Sequence, residues 1–521
     1  MRALGTLPSL RVSRNPLVSF GILICVLAAA YKVAEAIIAN DLTSLTYAAL
    51  FFVVGAVVIA ILNDWRRGLY FFIGWLLFED FARKYLGNNM AIYFGKDFLA
   101  LMVYLSFFRA RRAKGLAPLH LPFRVPLLLF IWFGVIQMFN PASTSIFYGI
   151  LGVKVDFLYV PMIYVGYELV ESERELQRFM SYLCVLIILI SGLGLAQSII
   201  GPTFLNPRVL QEDIRELATT YRMSPLTGLV AYRPTSVFVS AGRFADFLMV
   251  GWVTALGYGG YLLLRRRRGR MLAFATIAVV AAAVLMTASR GAFMWTSGIG
   301  LIFCVGFLWG APWRQREVIR VVRAISRTII VVAMAVILLT VLFPNELGSR
   351  LAIYSETLMP DSPTSELVHR TQTYPLMQLG YAFQHPLWPY GYGMGTCTLG
   401  RQYVIKLMHA QPMNIGVESG YGNLIVELGI VGLLLWFVLA FGVTISTWRA
   451  VVGLRQTPWF PMAFSIFLYA FLLFFPIEFM SSVAYQDFVL NSYLWLSLGL
   501  LWRLRKYPGI VEETVLERRA I

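Results

Sequence analysis

The stretch from His369 to Phe441 reads HRTQTYPLMQLGYAFQHPLWPYGYGMGTCTLGRQYVIKLMHAQPMNIGVESGYGNLIVELGIVGLLLWFVLAF, and its change of character decides the fold. The first half is polar enough for water and holds three of the chain's four histidines. From Tyr421 the second half becomes apolar for long enough to cross a bilayer, which takes about 20 residues of helix. Glu418 sits at the join, at the mouth of the helix. An ionisable group there is costly unless something uses it. The stretch therefore predicts a loop held over a membrane surface by a helical frame.

The rest of the chain fits that frame. Of 521 residues, 59% are hydrophobic and 14% charged, against about 25% charged in ordinary soluble proteins. Apolar runs of about 18 residues or more recur from end to end. They predict an all-α polytopic membrane protein, one transmembrane domain over 1–521, with about 14 spans. The spans fall near 17–39, 45–63, 67–81, 92–108, 125–140, 146–166, 177–200, 243–264, 271–288, 291–311, 328–343, 421–445, 460–479 and 485–502. The basic stretch before the first span lacks a small-residue cleavage site and reads as a cytoplasmic tail.

The net charge of +17 is what the positive-inside rule produces. Arg66 and Arg67, Arg109 to Lys114, Arg265 to Arg270, Arg314 to Arg327, Arg449, Arg455 and the carboxy-terminal basic residues all fall on one side. That side is then cytoplasmic, and so are both termini. No basic segment is interleaved with aromatics as a nucleic-acid groove would require, so no nucleic-acid partner is expected. Cys397 is alone in the large loop, and no intramolecular disulfide is expected there.

Two long segments remain outside, 201–242 and 344–420, and long loops in compact proteins tend to carry function. The arginines stranded on that side are not explained by charge sorting. They include Arg222, Arg233, Arg243, Arg290 and Arg370, with Arg83, Lys84, Lys96 and Arg350. Pairing with Asp or Glu, or contact with lipid headgroups, is the plain reading of any one of them. Arg290, in SRGAF between two spans and with no acidic neighbour, points instead to an anionic ligand, because guanidinium forks match phosphate oxygens.

Outward arginines at a bilayer edge suit a lipid pyrophosphate. A nearby carboxylate or imidazole suits a general base for a sugar hydroxyl. A diphosphate is already a good leaving group and needs charge stabilisation more than protonation. The candidate bases are Glu418 and then His409. Their plain readings are a carboxylate favoured by a helix dipole and an ordinary loop histidine. His385, before Pro386 and Gly391, Gly393 and Gly395, reads as a turn residue. Those glycines follow no strand and open no helix, so a nucleotide-binding loop is excluded on context. Asp361, Glu366 and His369 match no tight ligand spacing, and no metal or other cofactor is expected.

Three of these segments resemble the O-antigen ligase and polymerase family of bacterial envelope glycosyltransferases. TASRGAFMWTSGIGLIF (287–303) is similar to the family's Ser-Arg-Gly turn entering a span. Arg370 with QHPLWPYGYGMG (384–395) is similar to its His-Pro-Leu-x-Gly-x-Gly pattern, lengthened here by Trp388, Pro389 and Tyr390. ESGYGNLIVELGIVGLLLWF (418–437) is similar to its loop-to-span junction. Residues 83–105 and 233–250 are more faintly alike. The resemblance implies a GT-C-like membrane fold with a large outer loop between late helices. It implies metal-independent, inverting transfer from an undecaprenyl-pyrophosphate glycan at the outer face of the bacterial inner membrane.

By the same resemblance Arg290, Arg233, Arg222, Arg243 and Arg370 would hold the pyrophosphate. Trp388, Tyr392 and Tyr421 would stack on sugars. The family's ligases carry a histidine where this chain has Glu418, which favours a polymerase of lipid-linked repeat units. A chain-length regulator or export machinery is a possible partner. A ligase moving the glycan to a terminal acceptor, and a flippase or transporter of lipid-linked oligosaccharide, stay open. Against the last stands the lack of visible repeats.

Overall fold

A computed structural model describes residues 54–86, 90–115, 119–207, 220–224, 228–265, 269–311, parts of 322–342, and 343–358, 368–413, 415–480 and 484–506. The expected span at 17–39 and the first part of that at 45–63, residues 45–53, lie outside the described residues, as do Asp361 and Glu366. The described chain is a helical bundle with one small hairpin.

In chain order the helices are α1 (Val54–Asn63), α2 (Trp65–Leu86), α3 (Met90–Ala113), α4 (Arg124–Gln137), α5 (Ile146–Phe157), α6 (Met162–Leu169) and α7 (Glu173–Ile200). Then come the antiparallel strands β1 (Tyr221–Met223) and β2 (Val230–Tyr232), with Arg222 opposite Ala231. They are followed by α8 (Ala241–Arg265), α9 (Arg270–Met286), α10 (Arg290–Gly310), α11 (Pro344–Leu358), α12 (Tyr374–Gln384), α13 (Arg401–Met408), α14 (Gly420–Gly453), α15 (Phe460–Leu472) and α16 (Phe488–Lys506).

Seven helical stretches are long and apolar enough to cross a membrane: α3, Ile146–Leu169, α7, α8, α10, α14 and Phe460–Met480. They coincide with seven of the spans expected from the sequence. Among the others, α4 and α9 are shorter apolar helices. α2 carries six charged side chains, and α16 ends in Arg503, Arg505 and Lys506. The span expected at 328–343 is described only in part.

The buried charges on and around α2 are met by counter-ions or by hydrogen-bond acceptors. On α2, Glu79, Asp80, Arg83 and Lys84 are all buried. Asp80 meets Arg83 at 2.9 Å and Arg243 at 2.7 Å, Glu79 meets Lys96 at 2.8 Å, and Lys154 meets Asp97 at 2.7 Å. Lys84 donates to Thr235 Oγ1 and to the Ser236 carbonyl. An unpaired charge here would cost several kcal/mol. The plain reading, pairing with Asp or Glu, therefore holds for Arg83 and Lys96, while Lys84 is held by neutral acceptors.

Helix α14 is broken. Gly429 stands at φ 71°, ψ −172° in the middle of an otherwise apolar helix, a backbone region essentially restricted to glycine. The break leaves main-chain groups without partners inside the bundle, where water cannot supply them. The 386–400 loop supplies them. The amides of Tyr392 and Gly393 donate to the carbonyls of Val426 and Glu427 at 2.8 and 2.9 Å, and the Ile430 amide donates to Pro389 O at 3.3 Å. Gly391 packs so tightly on the Glu427–Gly429 backbone that a Cβ would collide with it. The three loop glycines have positive φ, so the expected turn role is what they perform. Glu427 completes the join, accepting from the Cys397 amide at 2.6 Å and the Thr398 hydroxyl at 3.0 Å.

Candidate functional site

At the end of the bundle where α8 and α10 begin, a cavity of about 400 Å3 opens. Its wall includes Arg222, Asp246, Ser289, Arg290, Thr357 and Thr371, with Ile477 and Met480 behind them. That volume falls in the range of about 300–1,000 Å3 usual for small-molecule sites.

The Arg290 wall is built by α11. Helix α9 ends at Met286, and its last carbonyls lack intrahelical donors. Tyr354 donates its hydroxyl to Val284 O and Leu285 O at 3.0 and 3.2 Å, and Arg350 donates Nε to Met286 O at 2.8 Å. Arg350 also reaches the carbonyls of Ser198 and Tyr232, tying α7 and β2 to the same turn. It is only 2% exposed, and its bonds go to the main chain. Burial lowers its pKa from the ordinary arginine value. The turn it clasps holds Ala288 at φ 51°, and Ser289 caps α10 by accepting from the Ala292 amide. Arg290 follows as the first residue of α10, buried, with Glu356 at 3.8 Å. Glu356 in turn accepts from the Ser224 hydroxyl.

Two of the five arginines expected to bind pyrophosphate, Arg290 and Arg222, thus line one cavity. Arg233 follows β2 nearby, half-buried beside Tyr354. Burial lowers its pKa, and it is not part of the lining. Arg243 is occupied elsewhere: its guanidinium bonds both oxygens of Asp80 and lies over the Phe488 ring at 4.7 Å. It belongs to the frame, which corrects its expected place beside the pyrophosphate. Arg370 lies in the π-turn His369–Thr373, and its side chain is outside the described residues.

Glu418 is exposed, one residue before the Ser419 cap of α14. It accepts from the Tyr374 hydroxyl, and its amide donates to Gln378 Oε1 at 2.9 Å. It does not line the cavity, although its surroundings border it. Tyr374 is three residues from Thr371, and Ser419 donates to the carbonyl of Phe479, next to Met480. His409 is exposed in a left-handed conformation at the end of α13, away from this lining.

Of the expected stacking residues, Trp388 is half-buried against Phe383 and Tyr392 against His385. Tyr421 is turned inward. It is buried, and its hydroxyl donates to Phe474 O and Phe475 O at 3.0 and 3.2 Å. Those carbonyls lie within the π-turn Leu473–Ile477, which contains Pro476. Tyr421 mends that turn and presents no face to a sugar, a correction to its expected role.

Asp246 was not singled out from the sequence. It is one carboxylate in an apolar span, and a single charge does not break a hydropathy pattern. A second void, of about 60 Å3, lies deeper between α7, α8, α15 and α16 and has no charged side chain in its wall. No protein-family model matches the chain, and no curated protein matches it.

Proposed function

We propose that the chain is a membrane glycosyltransferase that joins undecaprenyl-pyrophosphate-linked oligosaccharide units into a polysaccharide. In this reading the fold is GT-C-like with about 14 spans. The cavity faces outward from the bacterial inner membrane, and both termini are cytoplasmic. The observation that carries the reading is the pairing of Arg290 and Arg222 in the wall of one cavity at an end of a membrane bundle. Two guanidinium groups beside apolar helices suit a ligand that is anionic at its head and apolar in its tail.

The chemistry then follows. The acceptor hydroxyl attacks the anomeric carbon on the side opposite the pyrophosphate, with inversion. Charge accumulates on the departing pyrophosphate, where fixed guanidinium groups stabilise it more than in the ground state. This displacement calls for no cofactor. The amide and hydroxyl groups around Gly391–Thr398 join the loop to α14, so in this reading they position the large loop.

The test is a reaction of the purified full chain with a synthetic undecaprenyl-pyrophosphate oligosaccharide, read on a gel. A ladder of products is expected. Transfer only to an added second acceptor makes the chain a ligase. No product with any donor, together with flipping of the donor in liposomes, makes it a transporter and overturns the proposal.

A further inference from the structure

The cavity has a carboxylate that the protein itself leaves unused. Three acidic side chains stand in or near it. Glu356 is engaged by Ser224 and lies 3.8 Å from Arg290. Glu418 is exposed, bonded by Tyr374 and outside the lining. Asp246 lines the cavity, and among the described residues no hydrogen bond or ion pair reaches its carboxylate. It sits one helical turn below Gly242, which lines the same cavity, and across from the start of α10. A carboxylate half-withdrawn from water without a donor is costly. In a membrane bundle such a group marks a functional position.

We infer that Asp246 takes the proton from the acceptor hydroxyl; the inference rests on reading the cavity as a glycosyl-transfer site. The charged groups around it support the assignment. Arg243, from its own helix, is turned to Asp80. Asp487, ahead of α16, lies near enough for its charge to act on Asp246, while its Oδ1 accepts from the amides of Val489 and Leu490. Arg222 and Arg290 share the cavity wall, where the proposed function puts the pyrophosphate. In the step, the acceptor O–H proton passes to the Asp246 carboxylate as the oxygen bonds to the anomeric carbon. The bond from that carbon to the pyrophosphate oxygen breaks. Its electron pair leaves with undecaprenyl pyrophosphate, and the proton on Asp246 is then released to water.

The experiment uses the full chain in lipid nanodiscs. Turnover is measured with lipid-linked oligosaccharide extracted from cells that make the chain, and binding with undecaprenyl pyrophosphate alone. Asp246→Asn is expected to lower turnover by about 10²–10⁴-fold, the usual worth of a general base, with binding within about twofold of wild type. The acid limb of the rate–pH profile should vanish in that variant. Asp246→Glu keeps a proton acceptor and should recover at least about tenfold over Asn. Turnover of Asp246→Asn near the wild-type rate, or parallel loss of binding and turnover in both variants, overturns the role of Asp246. A wild-type protein that neither binds undecaprenyl pyrophosphate nor turns over the extract overturns the glycosyl-transfer reading itself, which is a distinct result.

Discussion

The amide of Gly393 donates to the carbonyl of Glu427 at 2.9 Å, so a buried loop segment completes the hydrogen bonding of a broken membrane helix. The break depends on Gly429. In Gly429→Ala the backbone must hold a conformation that costs an L-residue about 1–3 kcal/mol, and the new Cβ meets Pro389 O at 2.5 Å. We expect a lower melting temperature in detergent. An unchanged melting temperature would show that the kink is not needed.

Arg243 and Arg290 both stand at span starts, and their substitutions should differ in kind. Removing Arg243 leaves Asp80 with only Arg83 at close range, in a site where Asp80 is 1% exposed. Breaking a buried pair costs about 3–5 kcal/mol, so Arg243→Ala should reduce the yield of folded protein in size-exclusion chromatography. Replacing Arg243 and Asp80 together by Met and Leu should recover part of it.

Arg290→Ala and Arg222→Ala, compared as folded protein recovered from size-exclusion chromatography, should weaken binding of undecaprenyl pyrophosphate. A hydrogen bond to a charged group contributes about 1.5–3 kcal/mol, which corresponds to roughly 10–100-fold in affinity. Titration of labelled lipid at two salt concentrations checks this. Equal affinity in all three proteins would remove the pyrophosphate from this cavity.

Tyr421→Phe separates a mending role from a sugar platform. The ring is kept while the hydroxyl bonds to Phe474 O and Phe475 O are lost. Stability should fall by about 1 kcal/mol, and the Michaelis constant for the oligosaccharide should not move. A large rise in that constant with unchanged stability would restore the stacking role.

The Cys397 thiol reports on loop insertion. Burial raises its pKa well above the ordinary value, and the neighbouring Glu427 charge adds to this. The thiol therefore stays protonated at pH 8, and the thiolate is the reactive form. Maleimide should label Cys397 slowly in the folded protein and quickly in SDS. Fast labelling in the native state would mean that the loop is not seated.

Run length made α7, α8, α10 and α14 legible, because about 20 apolar residues have few other uses. The same signal hid the kink at Gly429, since a glycine in an apolar run still reads as helix. It hid Asp246 for the same reason. Arg290 and Arg222 were legible as cations on the wrong side of a charge rule. Arg243 carried the same mark. Only the fold, which brings the first turn of α8 to Asp80 of α2, shows that it is used there. Arg350 was visible as an outer arginine, but its bonds to carbonyls of α9, α7 and β2 join segments that sequence spacing cannot bring together. Tyr421 was misread because an aromatic at a membrane interface has two fates, and the choice lies in a π-turn more than 50 residues on.

The splice between loop and helix has a consequence for the order in which the chain can mature. During synthesis residues 389–394 leave the ribosome before 426–430, the segment whose backbone they complete. Leu399 waits longer still, for the side chain of Gln486. Until the later helices have entered the bilayer, the loop's amides have only water for partners. The large loop is therefore a late-setting part, and the cavity beside it takes shape only once the carboxy-terminal helices are in place.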